Sequence, residues 1–308
     1  MKSVLVTGAN GMLGKAVIEK FDSTSLNVIK VTRSDVDLRN FSDTLDYFSK
    51  FKTDLIVHCA AMVGGIQANI LGGNSFFLEN VLLDHSVLQA ARQLKIRNLI
   101  YIGSSCMYPA NLDWPLKEGE LLSGKLEPTN ESYALAKIFG STLTKSIAIQ
   151  DNLSWRVFIG SNLYGPHDHF DSSKSHLVAN IISKIINAKE KNHLEIEMWG
   201  DGSPKREFTY VSDLADWIVD SRNRLSELPL VLNTGAGEEY SVREYYDKVA
   251  SVLKWDGIIK ENIEMPNGNH RKLLDSTLAK NNGWSPKISF DIGLKKTIDW
   301  YLTNRKLA

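Results

Sequence analysis

The sequence predicts an α/β fold in which a doubly wound parallel sheet is joined by a smaller mixed α/β domain. Apolar segments of strand length alternate with helical segments through the first half of the chain, a pattern typical of parallel sheets. These strand candidates are apolar without interruption, as expected where helices cover both faces of the sheet. The alternation stops at the loop Gly165-Pro166-His167-Asp168-His169, and mixed elements follow.

The individual elements follow from hydrophobic pattern and segment length. The strand candidates of the main sheet are Ser3–Thr7, Val28–Thr32, Asp54–Cys59, Asn98–Gly103 and Ser154–Ile159, and the long helices between them are Ser75–Leu94 and Glu131–Gln150. In the second half we predict helices at Ser175–Lys189 and Ser241–Leu253, and a strand at Leu194–Trp199. The segment Glu207–Arg224 is predicted to be a strand and a helix that return to the main sheet.

Composition excludes several classes of partner. The chain has 308 residues, with 36 Lys and Arg against 36 Asp and Glu, so no excess charge favours nucleic acid or a membrane surface. The two cysteines do not form a disulfide framework, and no apolar run approaches the roughly 20 residues that span a bilayer. The first strand begins at once, without the pattern of a signal peptide. We therefore expect a cytoplasmic protein, and we predict no metal site.

Three glycines directly after the first strand predict a dinucleotide-binding loop. Gly8, Gly11 and Gly14 follow the strand that ends at Thr7 and lead into a helical segment. Glycines here permit a tight turn and let backbone N–H groups approach a pyrophosphate, while the helix N-terminus supplies positive partial charge. The spacing G-x-x-G-x-x-G differs from the more usual G-x-G-x-x-G. The strand before it and the helix after it favour a Rossmann-type nucleotide site.

A second motif predicts proton-transfer chemistry. Tyr133 and Lys137 form a Y-x-x-x-K pair inside a predicted helix, where residues four apart share one face. An ammonium beside a phenol lowers the phenol pKa, so the tyrosine can exchange a proton with a carbonyl oxygen. Ser104 follows an apolar strand upstream of this pair.

The glycine motif, Ser104 and the Y-x-x-x-K pair, in this order, resemble the extended short-chain dehydrogenase/reductases that act on nucleotide sugars. Longer segments are similar to the GDP-L-fucose synthase family, whose members are GDP-4-keto-6-deoxy-D-mannose 3,5-epimerase/4-reductases. These segments are A-A-M-V-G-G-I from Ala60, G-S-S-C-M-Y-P from Gly103, L-E-P-T-N-E from Leu126, N-L-Y-G-P-H-D from Asn162, W-G at Trp199, R-E-F at Arg206 and R-K-L-L-D from Arg271. The resemblance implies an NADPH-dependent homodimeric enzyme that converts GDP-4-keto-6-deoxy-D-mannose to GDP-L-fucose.

The change of pattern near residue 165 and the returning segment Glu207–Arg224 predict two domains, the second discontinuous, and the resemblance implies their ligands. The first is an NADP-binding Rossmann domain of residues 1–165, to which residues 207–235 return. The second holds the GDP-sugar and comprises residues 166–206 and 236–308.

The resemblance implies roles for five catalytic residues. Inverting a carbon beside a keto group requires a base on one face and an acid on the other. Cys106 is the expected base and His176 the expected acid, and a charged His176 can stabilise the Cys106 thiolate. In the reduction, Tyr133 delivers the proton, Lys137 lowers its pKa and holds the nicotinamide ribose, and Ser104 binds the keto oxygen.

The binding residues are implied in the same way. The cofactor candidates are Gly8, Asn10, Gly11, Met12, Leu13, Gly14, Arg33, Asp37, Leu38, Ala60, Ala61, Ile102, Ser105, Lys137, Asn162, Leu163 and His176. The substrate candidates are Ser104, Lys184, Trp199, Arg206, Asn267 and Lys272. Arg33 follows the second strand where NAD-specific sites carry an acid, which favours NADP(H). The chain departs from the family at Gly160-Ser161, which stands for Pro-Thr, and at Lys184, which stands for arginine.

Two alternative functions stay open at this point. The substrate of a sister enzyme, such as a GDP-L-colitose synthase or a GDP-6-deoxy-heptose reductase, differs by one hydroxyl or one carbon. An inactive dinucleotide-binding regulatory module is a more distant alternative.

For the oligomer, the Ser75–Leu94 helix carries apolar residues on more than one face, which predicts a helix-mediated dimer. These residues are Phe76, Phe77, Val81, Leu82, Val87 and Leu88.

Overall fold

The computed structural model describes residues 1–170, 175–265 and 268–305, without the side chains of Ile66 and Gln67. Its strands are β1 Ser3–Thr7, β2 Asn27–Val31, β3 Leu55–His58, β4 Asn98–Ser104, β5 Ser154–Gly160, β6 Asn162–Tyr164, β7 Glu195–Trp199, β8 Lys205–Tyr210, β9 Val231–Thr234, β10 Glu239–Ser241, β11 Ile258–Asn262 and β12 Arg271–Lys272. Its helices are α1 Met12–Asp22, α2 Phe41–Ser49, α3 Ile66–Gln93, α4 Glu131–Gln150, α5 Leu177–Glu190, α6 Val211–Ser221, α7 Val242–Leu253, α8 Thr277–Asn281 and α9 Phe290–Asn304.

A Rossmann-type parallel sheet forms the first part of the molecule, as the sequence predicts. Six described strands lie in the order β2-β1-β3-β4-β5-β9, and every neighbouring pair is parallel. Strand residues alternate between the two faces, because the side-chain period of a strand is two. Val4 and Val6 pack with α1 and α6 on one face, and Leu5 packs with α3 and α4 on the other. This double covering explains the uninterrupted apolar runs.

A second, smaller set of elements packs around its own core. Strand β8 pairs with β10, β12 and β6 in a mixed sheet, and β7 pairs with β11. Helices α5, α7 and α9 bury aromatic and branched side chains against these strands, including Ile182, Tyr245 and Phe290. Each fully buried side chain of this kind stabilises the fold by roughly 1.5–3 kcal/mol. The smaller mixed α/β part that the sequence predicts is present.

The predicted return of Glu207–Arg224 to the main sheet is wrong for its strand. The strand of that segment, β8, pairs with β6, β10 and β12 in the small sheet. Helix α6 does pack beside α1 on the main sheet, and β9 then becomes its edge strand. The local apolar pattern identifies a strand, but it carries no information about which sheet the strand joins.

Helix α3 is longer than the sequence predicts. It begins at Ile66, whereas the predicted helix begins at Ser75, and its backbone is non-helical at Gly72 (φ −113°, ψ 21°). The Gly72-Gly73 pair favours a break, since glycine is unfavourable inside helices. The chain bends there and continues, so the pair produces a kink. None of the helices in the described ranges is both long enough and apolar enough to cross a bilayer.

Candidate active site

The glycine-rich loop at the end of β1 fits a dinucleotide pyrophosphate. Gly8 has a positive φ of +66°, and a Cβ atom there would lie 2.7 Å from the Ala60 Cα atom. A Cβ atom at Gly14 would lie 2.1 Å from the Gly8 carbonyl oxygen, so only glycine lets α1 approach the loop. Helix α1 begins after Gly11 with no side chain capping it in the described structure. Its first N–H groups are therefore available to an anion.

The other cofactor candidates follow the carboxyl ends of parallel strands, which meet at one edge of the sheet. Ala60 and Ala61 come after β3, Ile102 and Ser105 lie at the end of β4, and Asn162 and Leu163 form β6 after β5. Leu13 and Leu38 are buried, Ser105 is buried, Met12 packs against the core and Asn10 is exposed. The Asn162 side chain donates to the Glu207 carbonyl oxygen at 3.0 Å, which ties β6 to β8.

Four charged side chains lie near the end of β2: those of Arg33, Arg39, Asp37 and Glu79. The Arg33 side chain is 78% exposed, and its Nη2 atom lies 3.8 Å from Glu79. Arg39 instead binds Asp37 at 2.6 Å and Glu79 at 2.8 Å. Hydrogen bonds from Arg39 lower the pKa of Asp37 to about 2. Arg39 and Glu79 were not among the predicted residues, because they lie 40 positions apart and only the fold brings them together.

Ser104, Cys106 and Tyr133 meet at the end of β4. The Ser104 hydroxyl accepts the Cys106 N–H at 3.2 Å and is hydrogen-bonded to Tyr133. Burial raises the pKa of Tyr133, nearby Cys106 and Asp84 add to this, and the Ser104 hydrogen bond opposes it. The sequence predicts the opposite direction, because it contains no information on how completely the phenol is buried. The phenol is therefore protonated near neutral pH, which is the form that can donate a proton.

Lys137 lies on the same helix, one turn after Tyr133, as predicted. Its side chain is buried, and its Nζ atom lies 4.2 Å from the centroid of the Tyr101 ring. Burial lowers the pKa of Lys137, whereas Asp84 and Cys59 raise it. The Lys137 ammonium group therefore contacts the face of the Tyr101 ring.

The Cys106 sulfur has two polar neighbours from distant parts of the chain. Asn130 Nδ2 donates to Sγ at 3.5 Å, and Lys272 Nζ lies 3.6 Å from it. Arg206, buried enough to lower its pKa, also interacts electrostatically with Cys106. Lys272 and Arg206 were predicted to bind the substrate, and Asn130 was not predicted at all. Both cations therefore face the expected base.

The predicted stabilisation of the Cys106 thiolate by a charged His176 is not supported. His176 directly precedes α5 and is half-buried. Burial lowers the pKa of His176, and His169 lowers it further. The imidazole is therefore mostly neutral at neutral pH. The charges described around the sulfur belong to Lys272 and Arg206.

The remaining substrate candidates within the described residues are Lys184 on α5, Trp199 on β7 and Arg206 on β8. Lys184 Nζ donates to the Glu197 carbonyl oxygen at 2.7 Å and lines a cavity of about 320 Å³. Trp199 ends β7 and is partly exposed, and Arg206 lies in β8. Asn267 lies outside the described residues.

One buried carboxyl group connects these parts and was missed by the sequence analysis. Glu207 accepts N–H groups from Gly237 at 2.7 Å and from Leu274 at 3.0 Å. Burial raises its pKa to about 7. Leu274 is the second residue after β12, so Glu207 fixes the strand that carries Lys272 against β8. A glutamate flanked by an arginine usually indicates a surface position, so no local signal could have identified it.

Comparison with known proteins agrees with this arrangement. Residues 4–228 match the NAD dependent epimerase/dehydratase family. The chain belongs to this family. GDP-L-colitose synthase of Yersinia pseudotuberculosis is 39% identical over 303 residues, which cover 98% of both chains. GDP-L-fucose synthase of Azorhizobium caulinodans is 36% identical over 306 residues, covering 99% of this chain and 98% of that one.

A solved structure is similar over the same length. A GDP-mannoheptose C4 reductase from Campylobacter jejuni with NADP bound superposes with a TM-score of 0.89 at 26% identity, covering 98% of both chains. The similarity extends through the small sheet, beyond the 4–228 family match. Membership of the epimerase/dehydratase family and the Rossmann-type fold therefore rest on sequence and structure together.

Proposed function

We propose that the chain is a GDP-L-fucose synthase, an NADPH-dependent enzyme that epimerises and then reduces GDP-4-keto-6-deoxy-D-mannose. The convergence of Ser104, Tyr133 and Cys106 at the end of β4 carries the proposal. This convergence supports the proposal, because the reaction requires a proton donor for the keto oxygen and a base for the neighbouring carbons at one sugar ring. The two synthase relatives, whose names specify GDP-L-colitose and GDP-L-fucose, support a GDP-sugar substrate.

The cofactor we propose is NADP(H). The loop of Gly8, Gly11 and Gly14 would hold its pyrophosphate, and Arg33 would bind its 2′-phosphate. A bound nicotinamide cofactor supplies the hydride for the reduction. The NADP-bound heptose reductase, similar over 98% of this chain, supports this choice. We assign the remaining cofactor candidates at the sheet edge to the same site.

In the epimerisation, Cys106 removes the proton beside the ketone. The keto group makes hydrogens on both flanking carbons acidic, since the carbanion is delocalised onto oxygen as an enolate. Lys272 and Asn130 stabilise the thiolate that acts as the base. His176 returns a proton on the opposite face. Its lowered pKa makes the imidazolium the stronger acid, although a smaller fraction is protonated at neutral pH.

In the reduction, Tyr133 donates its phenolic proton to the keto oxygen. Ser104 holds that oxygen through its hydroxyl group and also hydrogen-bonds Tyr133. As the phenolate forms, the buried ammonium of Lys137 stabilises the negative charge. Lys184, Trp199, Arg206, Asn267 and Lys272 would bind the GDP part. Lys272 and Arg206 are the members of this group that also interact with Cys106.

The domain division we propose follows the two sheets. Residues 1–165, with 207–235, would form the cofactor domain, and residues 166–206 and 236–308 the GDP-sugar domain. Strand β9 in the main sheet and strands β7, β10, β11 and β12 outside it support these boundaries. Strands β6 and β8 are exceptions, because both belong to the small sheet although residues 162–164 and 207–210 fall in the proposed cofactor domain.

We also propose a homodimer formed through α3 and α4. Both helices carry large apolar side chains that the single chain leaves exposed, spaced so that those of each helix share one face. We call them the α3–α4 apolar face; they are Ile70, Leu71, Phe77, Leu78 and Leu82 on α3, and Leu135 and Ile149 on α4. The predicted residues Phe76, Val87 and Leu88 are instead buried within the chain.

Free thiols at Cys59 and Cys106 are consistent with the reducing cytoplasm that we propose as the location of the protein.

Turnover in D₂O tests the proposed function. GDP-4-keto-6-deoxy-D-mannose and NADPH are supplied, and the product is examined by NMR. We expect one GDP-L-fucose per NADPH oxidised, with deuterium at carbons 3 and 5. NADPH oxidation without deuterium at either carbon would reduce the proposal to a reductase, and no oxidation would refute it.

A GDP-L-colitose synthase is the second candidate, because one such relative is 39% identical to this chain. Its 3-deoxy substrate has no stereocentre at carbon 3 to invert. Both 4-keto GDP-sugars are compared at equal concentrations. A kcat/KM at least tenfold higher for the 3-deoxy sugar would favour colitose synthesis over our first assignment.

A further inference from the structure

Three buried polar side chains lie side by side beneath the proposed site. In the parallel sheet, Thr7 of β1 is paired with His58 of β3, and His58 with Tyr101 of β4. Paired residues of neighbouring strands point to the same face. All three, together with Asp84 of α3, are at most 1% exposed. Polar groups this deeply buried must satisfy one another.

A continuous series of hydrogen bonds connects them to Asp84. The Ala60 N–H donates to Thr7 Oγ1 at 3.2 Å, and Thr7 Oγ1 lies 2.7 Å from His58 Nδ1. His58 Nε2 lies 3.1 Å from Asp84 Oδ1, and the Tyr101 hydroxyl donates to Asp84 Oδ2 at 2.6 Å. Because a carboxylate only accepts, Nε2 carries the imidazole proton and Nδ1 accepts from Thr7. Every donor therefore points toward Asp84.

Lys137 lies at the other end of this series. Its Nζ atom is 4.2 Å from the Tyr101 ring, the ring whose hydroxyl binds Asp84. Gly140, one turn further along α4, keeps the helix close. A Cβ atom there would lie 2.2 Å from the Tyr101 hydroxyl oxygen and 2.3 Å from Asp84 Oδ2. No larger residue could stand between the helix that carries Lys137 and the buried carboxylate.

Of the titratable groups that interact with Lys137 in the described part of the chain, Asp84 is the one that supplies negative charge. Burial raises the pKa of Cys59 to about 12 and that of Tyr101 well above its usual value, so both are neutral. Burial lowers the pKa of His58, which is also neutral. Tyr133, on the same helix, is a neutral phenol. An isolated buried ammonium would lose its proton, and Asp84 opposes this.

We propose that Asp84 is a positioning residue for the reduction, which holds Lys137 in place through Tyr101 and keeps it in the ammonium form. The inference rests on the proposed reductase function for its catalytic consequence. Without the Asp84 charge, Lys137 would become neutral at lower pH and would no longer stabilise the Tyr133 phenolate. Thr7 and His58 supply the hydrogen bonds that allow the carboxylate to be buried. Because the Ala60 N–H donates to Thr7, the series of hydrogen bonds begins at a residue that is predicted to bind the cofactor.

The test is Asp84→Asn, which has nearly the same shape without the charge. Titration of Lys137 is followed by NMR of lysine labelled at its side-chain carbon and nitrogen, in protein without sugar. We expect the Lys137 transition to move down by about one pH unit or more. The alkaline limb of kcat for NADPH oxidation should move in the same direction. Thr7→Val breaks the series at its far end, and should lower Tm while leaving the Lys137 titration in place.

The outcomes separate this inference from the proposed function. A shifted Lys137 titration in a protein that reduces no 4-keto sugar would support the charge role and refute only the reductase. An unshifted titration in Asp84→Asn would overturn the inference, whatever the activity. Where Asp84→Asn does not fold, Tyr101→Phe keeps the ring and removes its hydroxyl. It should lower kcat several-fold at unchanged KM, and an unchanged kcat would overturn the positioning role.

Discussion

The Nζ atom of Lys272 lies 3.6 Å from the Sγ atom of Cys106, although 166 positions separate the two residues in the chain. Lys272 ends β12, whose register sets it opposite Arg206 of β8. Glu207 holds the segment after β12 from within the core. The small sheet therefore brings two cations to a cysteine at the end of the main sheet. The thiolate, and not the thiol, is the form that removes a proton or attacks an electrophile, and neighbouring cations attract its negative charge.

Lys272→Met should therefore make the Cys106 thiol less reactive before any substrate binds. Alkylation by iodoacetamide at neutral pH reports the thiolate fraction, and we expect the rate to fall about tenfold, in line with the loss of one close opposite charge. The second thiol, Cys59, does not interfere, because burial raises its pKa to about 12. Mass spectrometry of the alkylated peptide identifies the site.

Lys205→Met is the matched control for this experiment. Lys205 is an exposed cation of β8, and its backbone lies opposite that of Arg271 of β12 in the sheet. Its removal should leave the alkylation rate of Cys106 unchanged. A role of Lys272 in binding the diphosphate alone would give a weaker affinity for GDP with an unchanged alkylation rate.

Tyr133→Phe should abolish reduction while leaving NADPH binding nearly intact. Only the hydroxyl group carries the proton, and proton transfer by a positioned side chain contributes about 10²–10⁴-fold. NADPH oxidation is followed by absorbance, and binding by fluorescence titration. Tyr108→Phe is the control, since it removes a buried hydroxyl that donates to Asn233 at 2.7 Å. It should lower stability by about 1 kcal/mol and leave turnover near that of the unaltered protein. Near-normal oxidation in Tyr133→Phe would remove tyrosine from the mechanism.

The parts of the fold that the sequence predicts are those written in local patterns. Ser3–Thr7 and Glu131–Gln150 have the predicted bounds, because an uninterrupted apolar run and a helical repeat each occupy a continuous segment. The partner sheet of β8 was wrong, since strand pairing depends on segments far away in the chain. The glycine loop could be placed from its three glycines and the strand and helix that flank them, because all of these residues are neighbours in sequence.

The environment of the site residues was less predictable than their identity. Tyr133, Lys137 and Cys106 could each be named from a motif. The direction of the Tyr133 pKa shift could not, because it depends on burial by elements from several parts of the chain. Asp84 is similar: its place in the helical sequence gives no sign that Tyr101 and His58 will donate to its carboxylate. Contacts between distant parts of the chain determine both the Tyr133 pKa shift and the hydrogen bonds of Asp84.

Arg33→Ala should remove the preference for NADPH over NADH. A charge-assisted pair with a 2′-phosphate contributes about 1.5–3 kcal/mol, on the order of tenfold to a hundredfold in affinity. The exposed Arg33 side chain can reach such a group, whereas Arg39 already binds Asp37 and Glu79. Affinities for both cofactors are measured by calorimetry. Lys30→Ala removes an exposed cation of β2 that pairs with Asp22 at 3.4 Å, and should change neither affinity. A preference that survives Arg33→Ala would assign selectivity elsewhere.

Light scattering at micromolar concentration should give twice the mass of one chain. The α3–α4 apolar face includes Leu71, 81% exposed, and Ile149, 68% exposed, and burial of such side chains stabilises association. Leu82→Glu places a charge on this face and should shift the protein to the monomer. Ile258→Glu alters a side chain on β11 that is more exposed than Leu82, 64% against 40%, and should leave the dimer unchanged. A single-chain mass for the unaltered protein would contradict the proposed dimer.

Cys106→Ser should separate epimerisation from reduction. Cys106 is held just beyond Ser104, whose hydroxyl accepts the Cys106 N–H, while the proton for the keto oxygen comes from Tyr133. A serine hydroxyl has nearly the same size and is far less acidic than a thiol, so it cannot provide the anionic base. Deuterium incorporation beside the ketone in D₂O should therefore fall by about 10²-fold or more, the contribution of a positioned general base.

The same variant should still reduce a 4-keto GDP-sugar that already has the product configuration, because neither Tyr133 nor Ser104 is altered. Cys59→Ser is the matched control, since Cys59 is a thiol beside Lys137 and lies outside the reacting cluster. It should exchange deuterium at the normal rate. Normal exchange in Cys106→Ser would mean that another residue is the base. Loss of hydride transfer to the pre-epimerised ketone would mean that Cys106 also supports the reduction. Slow exchange combined with normal reduction is the result that the geometry predicts, because the sulfur faces Lys272 and Asn130 whereas the phenol faces Ser104.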